Sequence, residues 1–191
     1  MTALLARAGA ELAASSPEEL VSVLLNLAYS VLAIRRSRAC WLAGGLGSAI
    51  LIHLALLNPD AKLAPQPGTT RHASFLQWMC YLSANIYEAA LRIYYSARYS
   101  PRGEADATLI REQGIADFIS HISLPARSLN PFLLGAEYSI ADTYLYMLAS
   151  WFPDRAELNL RLPALAAHSA KVAARPAVAK VEADHAAHST N

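Results

Sequence analysis

Two long apolar runs near the start of the chain restrict its fold more than any other feature. Residues 20–34 carry no charged side chain, and a second run from Ala39 to Leu57 is interrupted only by His53. Three arginines, at 35, 36 and 38, separate the two runs. Neither run alternates with the period of two that is typical of a half-buried strand. The pattern therefore predicts a hydrophobic helical hairpin over residues 17–57.

The residues in front of the first run carry the signals of a helix start. Ser16 suits the N-cap, Pro17 suits the first helical position, and Glu18 and Glu19 place negative charge in the first turn. A helix is thus predicted from Pro17 onward. The preceding residues 1–16 are Ala-rich and lack a signal-peptide pattern, which indicates a leader or a flexible segment.

Composition narrows the classes of function. Hydrophobic residues make up 54% of the chain and charged residues 16%, against about 25% charged in ordinary soluble domains. A net charge of +1 offers no basic surface for phosphates, so no nucleic-acid partner is expected. Cys40 and Cys80 have no Cys or His nearby at metal-ligand spacing, and two reduced, buried thiols are expected. The sequence therefore indicates no metal site.

Past residue 57 the chain mixes charge with helical periodicity. Residues 58–69 contain three prolines and a glycine and are predicted to be a linker. An apolar stripe predicts a long helix from Thr70 to about Tyr95, and the same periodicity resumes from Glu104 to about Ser123. Two such helices are expected to lie antiparallel. No strand pattern occurs, so the predicted class is all-α.

The remaining helices are predicted from their starts. Ser139 followed three residues later by Asp142 has the spacing of a capping box, so both are predicted as a structural cap. Shorter helices are predicted over Pro163–Ala174 and Pro176–His185, each opened by proline. Residues 70–187 are thus predicted to form a helical domain, and 188–191 a tail.

Several of these segments resemble the glutathione S-transferase family. The strongest local likeness is Tyr138–Leu145, which looks like that family's capped, buried helix. The other segments that carry the resemblance are Ala49–Ala55, Asn58–Pro65, Pro67–Thr69, Phe75–Met79, Leu82–Glu88, Phe132–Gly135, Leu162–Leu165 and Ala174–Val178. The resemblance implies a bundle like the C-terminal helical domain of a glutathione S-transferase, which this sequence precedes with the hydrophobic hairpin. It also implies a cytoplasmic location.

The same resemblance implies that the glutathione-binding half is missing. Family members hold glutathione as a co-substrate, not a cofactor, with a thioredoxin-like domain and a Glu-Ser pair. At the matching place this chain has Leu46-Gly47 or, one residue shifted, Gly47-Ser48, in either case without an acid. We therefore expect a thioredoxin-like domain to be absent, no catalytic residue in this chain, and no conjugation of glutathione by the chain alone.

An electrophile-binding role would fall to aromatic and acidic residues off the apolar stripe. The predicted substrate-binding residues are Tyr81, Tyr87, Glu88, Tyr94 and Tyr95. Their alternative role is a solvated or subunit-facing aromatic edge. The predicted partners are a second copy of the chain, forming a homodimer, and a hydrophobic small molecule.

A second resemblance leads to a different class. Residues 17–50 resemble the first helices of nicotinamide riboside or mononucleotide transporters of the PnuC type, which would make the chain a fusion with a truncated membrane protein. Placing the three arginines in the cytoplasm would send the helical domain to the other side of the membrane. A hairpin packed on the domain or lying at a membrane surface is therefore favoured, with membrane contact through 17–57.

Overall fold

The computed structural model describes residues 39–189 and, nearer the start of the chain, Ser16, Glu18, Glu19, Val21 and Ser22. Within these residues there is no β-strand, and the predicted all-α class is confirmed. The helices of residues 39–189 are α1 Ala39–Leu57, α2 Thr70–Tyr81, α3 Glu88–Tyr94, α4 Ala107–Ser128, α5 Ile140–Ser150, α6 Arg155–Arg161, α7 Pro163–Ala173 and α8 Pro176–Ser189.

Helix α5 is the centre of the bundle. Every residue from Ile140 to Ala149 is buried, because this helix packs against α1, α2 and α7. The linker joins this core through Leu63, which is 1% exposed and whose carbonyl accepts a hydrogen bond of 2.8 Å from the backbone N–H of Ile140. The linker residue is thus a structural part of the bundle.

Helix α1 matches the second predicted apolar run residue for residue. Its Leu51, Leu54 and Ala55 are buried in the same hydrophobic core as α5, and their spacing places them on one side of the helix. Whether residues 17–57, 58–69 and 70–187 are separate units stays a prediction. We find no helix long and apolar enough to span a membrane in the part of the chain that the structure describes.

The first arm of the predicted hairpin lies mostly outside the described residues, as does nearly all of the leader over 1–16. At its start, the N–H of Ser16 donates to the Glu19 carboxylate over 2.7 Å, and the N–H of Glu19 donates to the Ser16 hydroxyl over 3.3 Å. Glu18 accepts from Arg175 and from the N–H of Ala177, at the beginning of α8. Glu18 is thus bonded to residues at the start of α8.

The long helix predicted over residues 70–95 contains a local irregularity. Helices α2 and α3 follow one another through a π-helical segment, Leu82–Tyr87. Within it, the Ser83 hydroxyl bonds to the Tyr144 hydroxyl of α5 over 3.1 Å, and the Asn85 amide donates to the carbonyl of Tyr81 over 3.1 Å. A π segment holds one extra residue per turn, which the apolar periodicity alone did not reveal.

Helix α4 lies antiparallel to α2 and α3, as predicted, but continues past the expected end at Ser123 to Ser128. The helix contains Pro125, which lacks an N–H and cannot donate to the carbonyl of His121. In the structure, the Tyr81 hydroxyl donates to that carbonyl over 3.1 Å. A side chain from the neighbouring helix therefore satisfies the acceptor that the proline leaves unpaired.

Two further differences concern α6 and the thiols. Helix α6 was not predicted, although Asp154 accepts from the N–H of Glu157 over 2.8 Å and caps it. Cys80 was expected to be buried but is exposed, because its neighbour Met79 occupies the core position of α2. Cys40 has no described side chain. At the end of the chain, α8 runs beyond the predicted His185 to Ser189.

The bond between Tyr81 and His121 gives a first testable prediction. Replacing Tyr81 by phenylalanine should lower the free energy of unfolding by about 1–2 kcal/mol, because the part-buried carbonyl of His121 loses its donor. In a Pro125→Ala background, the restored N–H can donate to the same carbonyl, and the cost of Tyr81→Phe should fall below about 0.5 kcal/mol. Urea denaturation of the four proteins measures the coupling. An equal cost in both backgrounds would contradict this account.

Candidate functional site

The Asp142 carboxylate connects the start of α5 to the loop before it. Its side chain is fully buried and accepts from the N–H of Ser139 at 2.8 Å, the Ser139 hydroxyl at 3.0 Å and the N–H of Leu133 at 2.9 Å. The negative charge lies in the first turn of α5, where the helix dipole favours it. This geometry supports the structural cap that the spacing of Ser139 and Asp142 predicts.

His168 of α7 completes the surroundings of this carboxylate. Its Nε2 lies 3.1 Å from Oδ1 of Asp142, and neither side chain is exposed. A carboxylate accepts hydrogen bonds, so this contact assigns the imidazole proton to Nε2. With three further donors already on the carboxylate and no access to solvent, the arrangement is suited to holding α5, α7 and the loop together. It offers no opening for a substrate.

Two of the five predicted substrate-binding residues meet at the end of α5. The rings of Tyr87 and Trp151 have centroids 5.6 Å apart, and the Tyr94 hydroxyl donates to the carbonyl of Trp151. Tyr87 is only 5% exposed, whereas Tyr94 is 48% exposed. Burial raises the pKa of Tyr94, and the positive charge of Arg111 opposes that rise. We call Tyr87, Tyr94 and Trp151 the aromatic patch.

The other three predicted residues make separate contacts. Tyr81 donates to His121, as described above, and burial raises the pKa of its phenol. Glu88 lies 3.8 Å from the guanidinium of Arg92, one turn further along the helix. The guanidinium of Arg98 lies 4.4 Å from the centroid of the Tyr95 ring. The structure therefore does not bring all five residues into one pocket, and their role in ligand binding stays a prediction.

Sequence reasoning did not select Trp151 or single out His168. Tyr94, whose hydroxyl donates to the carbonyl of Trp151, lies 57 positions before it in the sequence. His168 lies 26 positions after its partner Asp142. Contacts at such separations leave no periodic signal in the sequence.

A cavity of about 380 Å³ lies away from the aromatic patch, between the linker and the loop that precedes α5. None of the five predicted substrate-binding residues lines it; its charged lining residues are Lys62, Arg71 and Glu137. In the residues described, no group of three or more His, Cys, Asp or Glu side chains could hold a metal ion.

The solved structures that this chain resembles include several glutathione transferases. A glutathione transferase homologue from Sulfitobacter with bound glutathione aligns at 21% identity and a TM-score of 0.65, over 73% of this chain and 67% of its own. A sphingomonad glutathione S-transferase complexed with glutathione aligns at 26% identity and a TM-score of 0.57, over 72% of this chain and 66% of its own. The bacterial glutathione transferase BphK, in a ternary complex, aligns at 26% identity and a TM-score of 0.56, over 73% of this chain and 67% of its own.

The described helices have a glutathione transferase fold. They correspond to the all-helical C-terminal domain of that fold, as the resemblance in the sequence implied. The matched region spans about two thirds of the length of these structures. No family model and no curated protein matches the chain.

The resemblance of residues 17–50 to riboside transporters finds no support in these comparisons, since the structures named above are glutathione transferases. Most of that segment also lies outside the described residues. Leu51 and Leu54, which follow that segment in α1, lie in the same buried core as α5. The transporter and fusion interpretation is therefore unsupported.

The hydrogen bonds around Asp142 predict that removing this one helix cap lowers the free energy of unfolding by an unusually large amount. Asp142→Ala should lower the free energy of unfolding by about 3–5 kcal/mol, because it strands buried donors from Ser139, Leu133 and His168. Asp154→Ala is the matched control, since Asp154 caps α6 at the surface and should cost only about 1 kcal/mol. Thermal and urea unfolding of both variants measure the difference. Equal costs would show that Asp142 acts as an ordinary cap.

Proposed function

We propose that this chain is a glutathione transferase-like helical domain that binds a hydrophobic small molecule at the aromatic patch and does not conjugate glutathione alone. The observation that carries the proposal is the position of Tyr94. Its ring is 48% exposed, yet its hydroxyl is tied to the carbonyl of Trp151. A half-exposed ring held in one orientation offers apolar contact area at little further cost in conformational entropy.

The environment of Tyr94 supports the same function. Tyr87 and Trp151 are both buried, and their rings are tilted against one another with centroids 5.6 Å apart. Burial raises the pKa of the Tyr94 phenol, and the positive charge of Arg111 of α4 opposes that rise. A ligand with an aromatic ring would thus meet a π surface with a cation at its edge, which favours electron-poor or partly negative aromatic groups.

Conjugation requires a bound thiolate near the electrophile. The Sulfitobacter and sphingomonad structures contain bound glutathione, and their matched region accounts for about two thirds of each of those chains. In this chain, Ser48 lacks the preceding acid of the Glu-Ser pair that the family resemblance implies. We infer that the described helices supply the hydrophobic half of such a site. The expected homodimer stays a prediction.

An activity assay tests the claim that the chain does not conjugate glutathione alone. The full chain is incubated with glutathione and an activated chloronitrobenzene, and product formation is followed by absorbance against the reaction without protein. We expect a rate equal to the uncatalysed one, because the proposal assigns no residue that the structure describes to lowering the pKa of the glutathione thiol. Saturable, protein-dependent turnover would overturn the claim that the chain alone is inactive.

A binding assay tests the claim that the aromatic patch binds a hydrophobic small molecule. A nitro-substituted aromatic probe should quench the fluorescence of Trp151, and Tyr94→Ala should weaken its binding by about tenfold, the effect of losing one large apolar contact of about 1.4 kcal/mol. Leu160→Ala is the control, because Leu160 is 85% exposed on α6 and lies outside the patch. If Tyr94→Ala and Leu160→Ala bind the probe as the parent chain does, the patch is not the site.

A further inference from the structure

The cavity beside the linker has walls that are fixed by hydrogen bonds. We call it the linker groove; it is lined by Lys62, Pro65, Gln66, Arg71, Leu134 and Glu137, among others. Its volume of about 380 Å³ falls within the range of about 300–1,000 Å³ that is usual for small-molecule sites. The Thr69 hydroxyl donates to the carbonyl of Gln66 over 2.7 Å and accepts from the N–H of His72 over 3.1 Å.

Further bonds hold both sides of the groove. One nitrogen of the His72 ring, Nδ1, bonds to the carbonyl of Pro65 over 3.0 Å, and the N–H of Ile140 donates to the carbonyl of Leu63. The backbone of Lys62 is left-handed, at φ 52°, and its N–H donates to the carbonyl of Pro59 over 3.0 Å. The walls of the groove are therefore held by hydrogen bonds within the fold itself.

Its charges leave a positive excess. The lining contains the cations Lys62 and Arg71 and the anion Glu137. Arg71 forms an ion pair with Glu137, whereas Lys62 forms no ion pair with any residue that the structure describes. The Lys62 ammonium is thus the charge that remains for a ligand. A ligand with one negative charge would balance the groove.

The Arg71 guanidinium adds a second positive charge to the lining, one that is paired with Glu137. Its Nη1 donates to Glu137 and its Nη2 approaches the carbonyl of Leu134 at 3.4 Å, while its Nε is buried and meets no acceptor among the described residues. Buried donors are nearly always paired in folded proteins. Beside this donor, Ala64, Pro65 and Leu134 supply apolar walls. The groove thus combines a cationic end with apolar sides.

We propose that the linker groove binds a small organic acid, with its carboxylate toward Lys62 and Arg71 and a compact apolar body against Pro65 and Leu134. Two cationic side chains that carry N–H donors suit a carboxylate by charge and by hydrogen bonding. The apolar walls select a ligand with a hydrocarbon body over a fully hydrated inorganic anion. This site is distinct from the aromatic patch and does not depend on the function proposed there.

Benzoate is the probe, titrated into isotopically labelled full chain while amide shifts at Gln66, Thr69 and Leu134 are followed by NMR. Lys62→Gln should weaken binding about fivefold or more, because a charge-assisted contact is lost. Glu137→Gln should strengthen it about two- to fivefold, because removing a mostly exposed negative charge releases Arg71. Lys180→Gln on α8, far along the sequence and paired with Asp184, is the charge-matched control and should change nothing.

The chemistry of the ligand is tested with two further probes. Benzyl alcohol, which lacks the charge, and inorganic phosphate, which lacks the apolar body, should each bind at least fivefold more weakly than benzoate. Equal binding of either probe, or equal loss in the Lys62 and Lys180 variants, would overturn the proposal. So would unshifted groove amides at saturating benzoate. Tyr94→Ala should leave benzoate binding unchanged, which separates a failure here from a failure at the aromatic patch.

Discussion

The fold depends on one buried carboxylate that is fully surrounded by donors. Asp142 has no exposure to solvent, and an isolated charge in such a place would be strongly unfavourable. The contacts with Ser139, Leu133 and His168 remove that cost by directing four donors at two oxygen atoms. They also decide where α5 begins and how α7 lies beside it. Because α5 is buried along nearly its whole length, the remaining helices take their positions from it.

Two irregularities in the outer helices are compensated by their neighbours. The π segment after α2 is bonded to α5 through Ser83 and Tyr144, and the carbonyl that Pro125 leaves unpaired in α4 accepts from Tyr81. In both places a side chain from one helix supplies what the backbone of another lacks. Local departures from helical geometry are thereby tolerated within a closely packed bundle, and they tie the helices together in register.

The candidate sites show how far local patterns reach. Periodicity placed Tyr81, Tyr87 and Tyr94 off the apolar stripe, but it could not distinguish a phenol that serves a helix backbone from one that faces a cleft. Tyr87 is buried under Trp151, while Tyr94 keeps half of its surface. The linker groove was not predicted at all, because its walls come from residues about 70 positions apart, such as Gln66 and Glu137. Surfaces assembled from distant segments have no signature in a single sequence.

The sequence by itself determined what depends on neighbouring residues: the all-α class, the helix over residues 39–57, the antiparallel pair that follows the linker, and the Ser139–Asp142 start of α5. These features arise from capping, periodicity and chain breakers, which act within a few residues. Only the tertiary structure decided the partner of Asp142 on α7, the continuation of α4 through Pro125 and the exposure of Cys80. Those outcomes depend on donors, acceptors and packing surfaces that the folded chain brings together from separate helices.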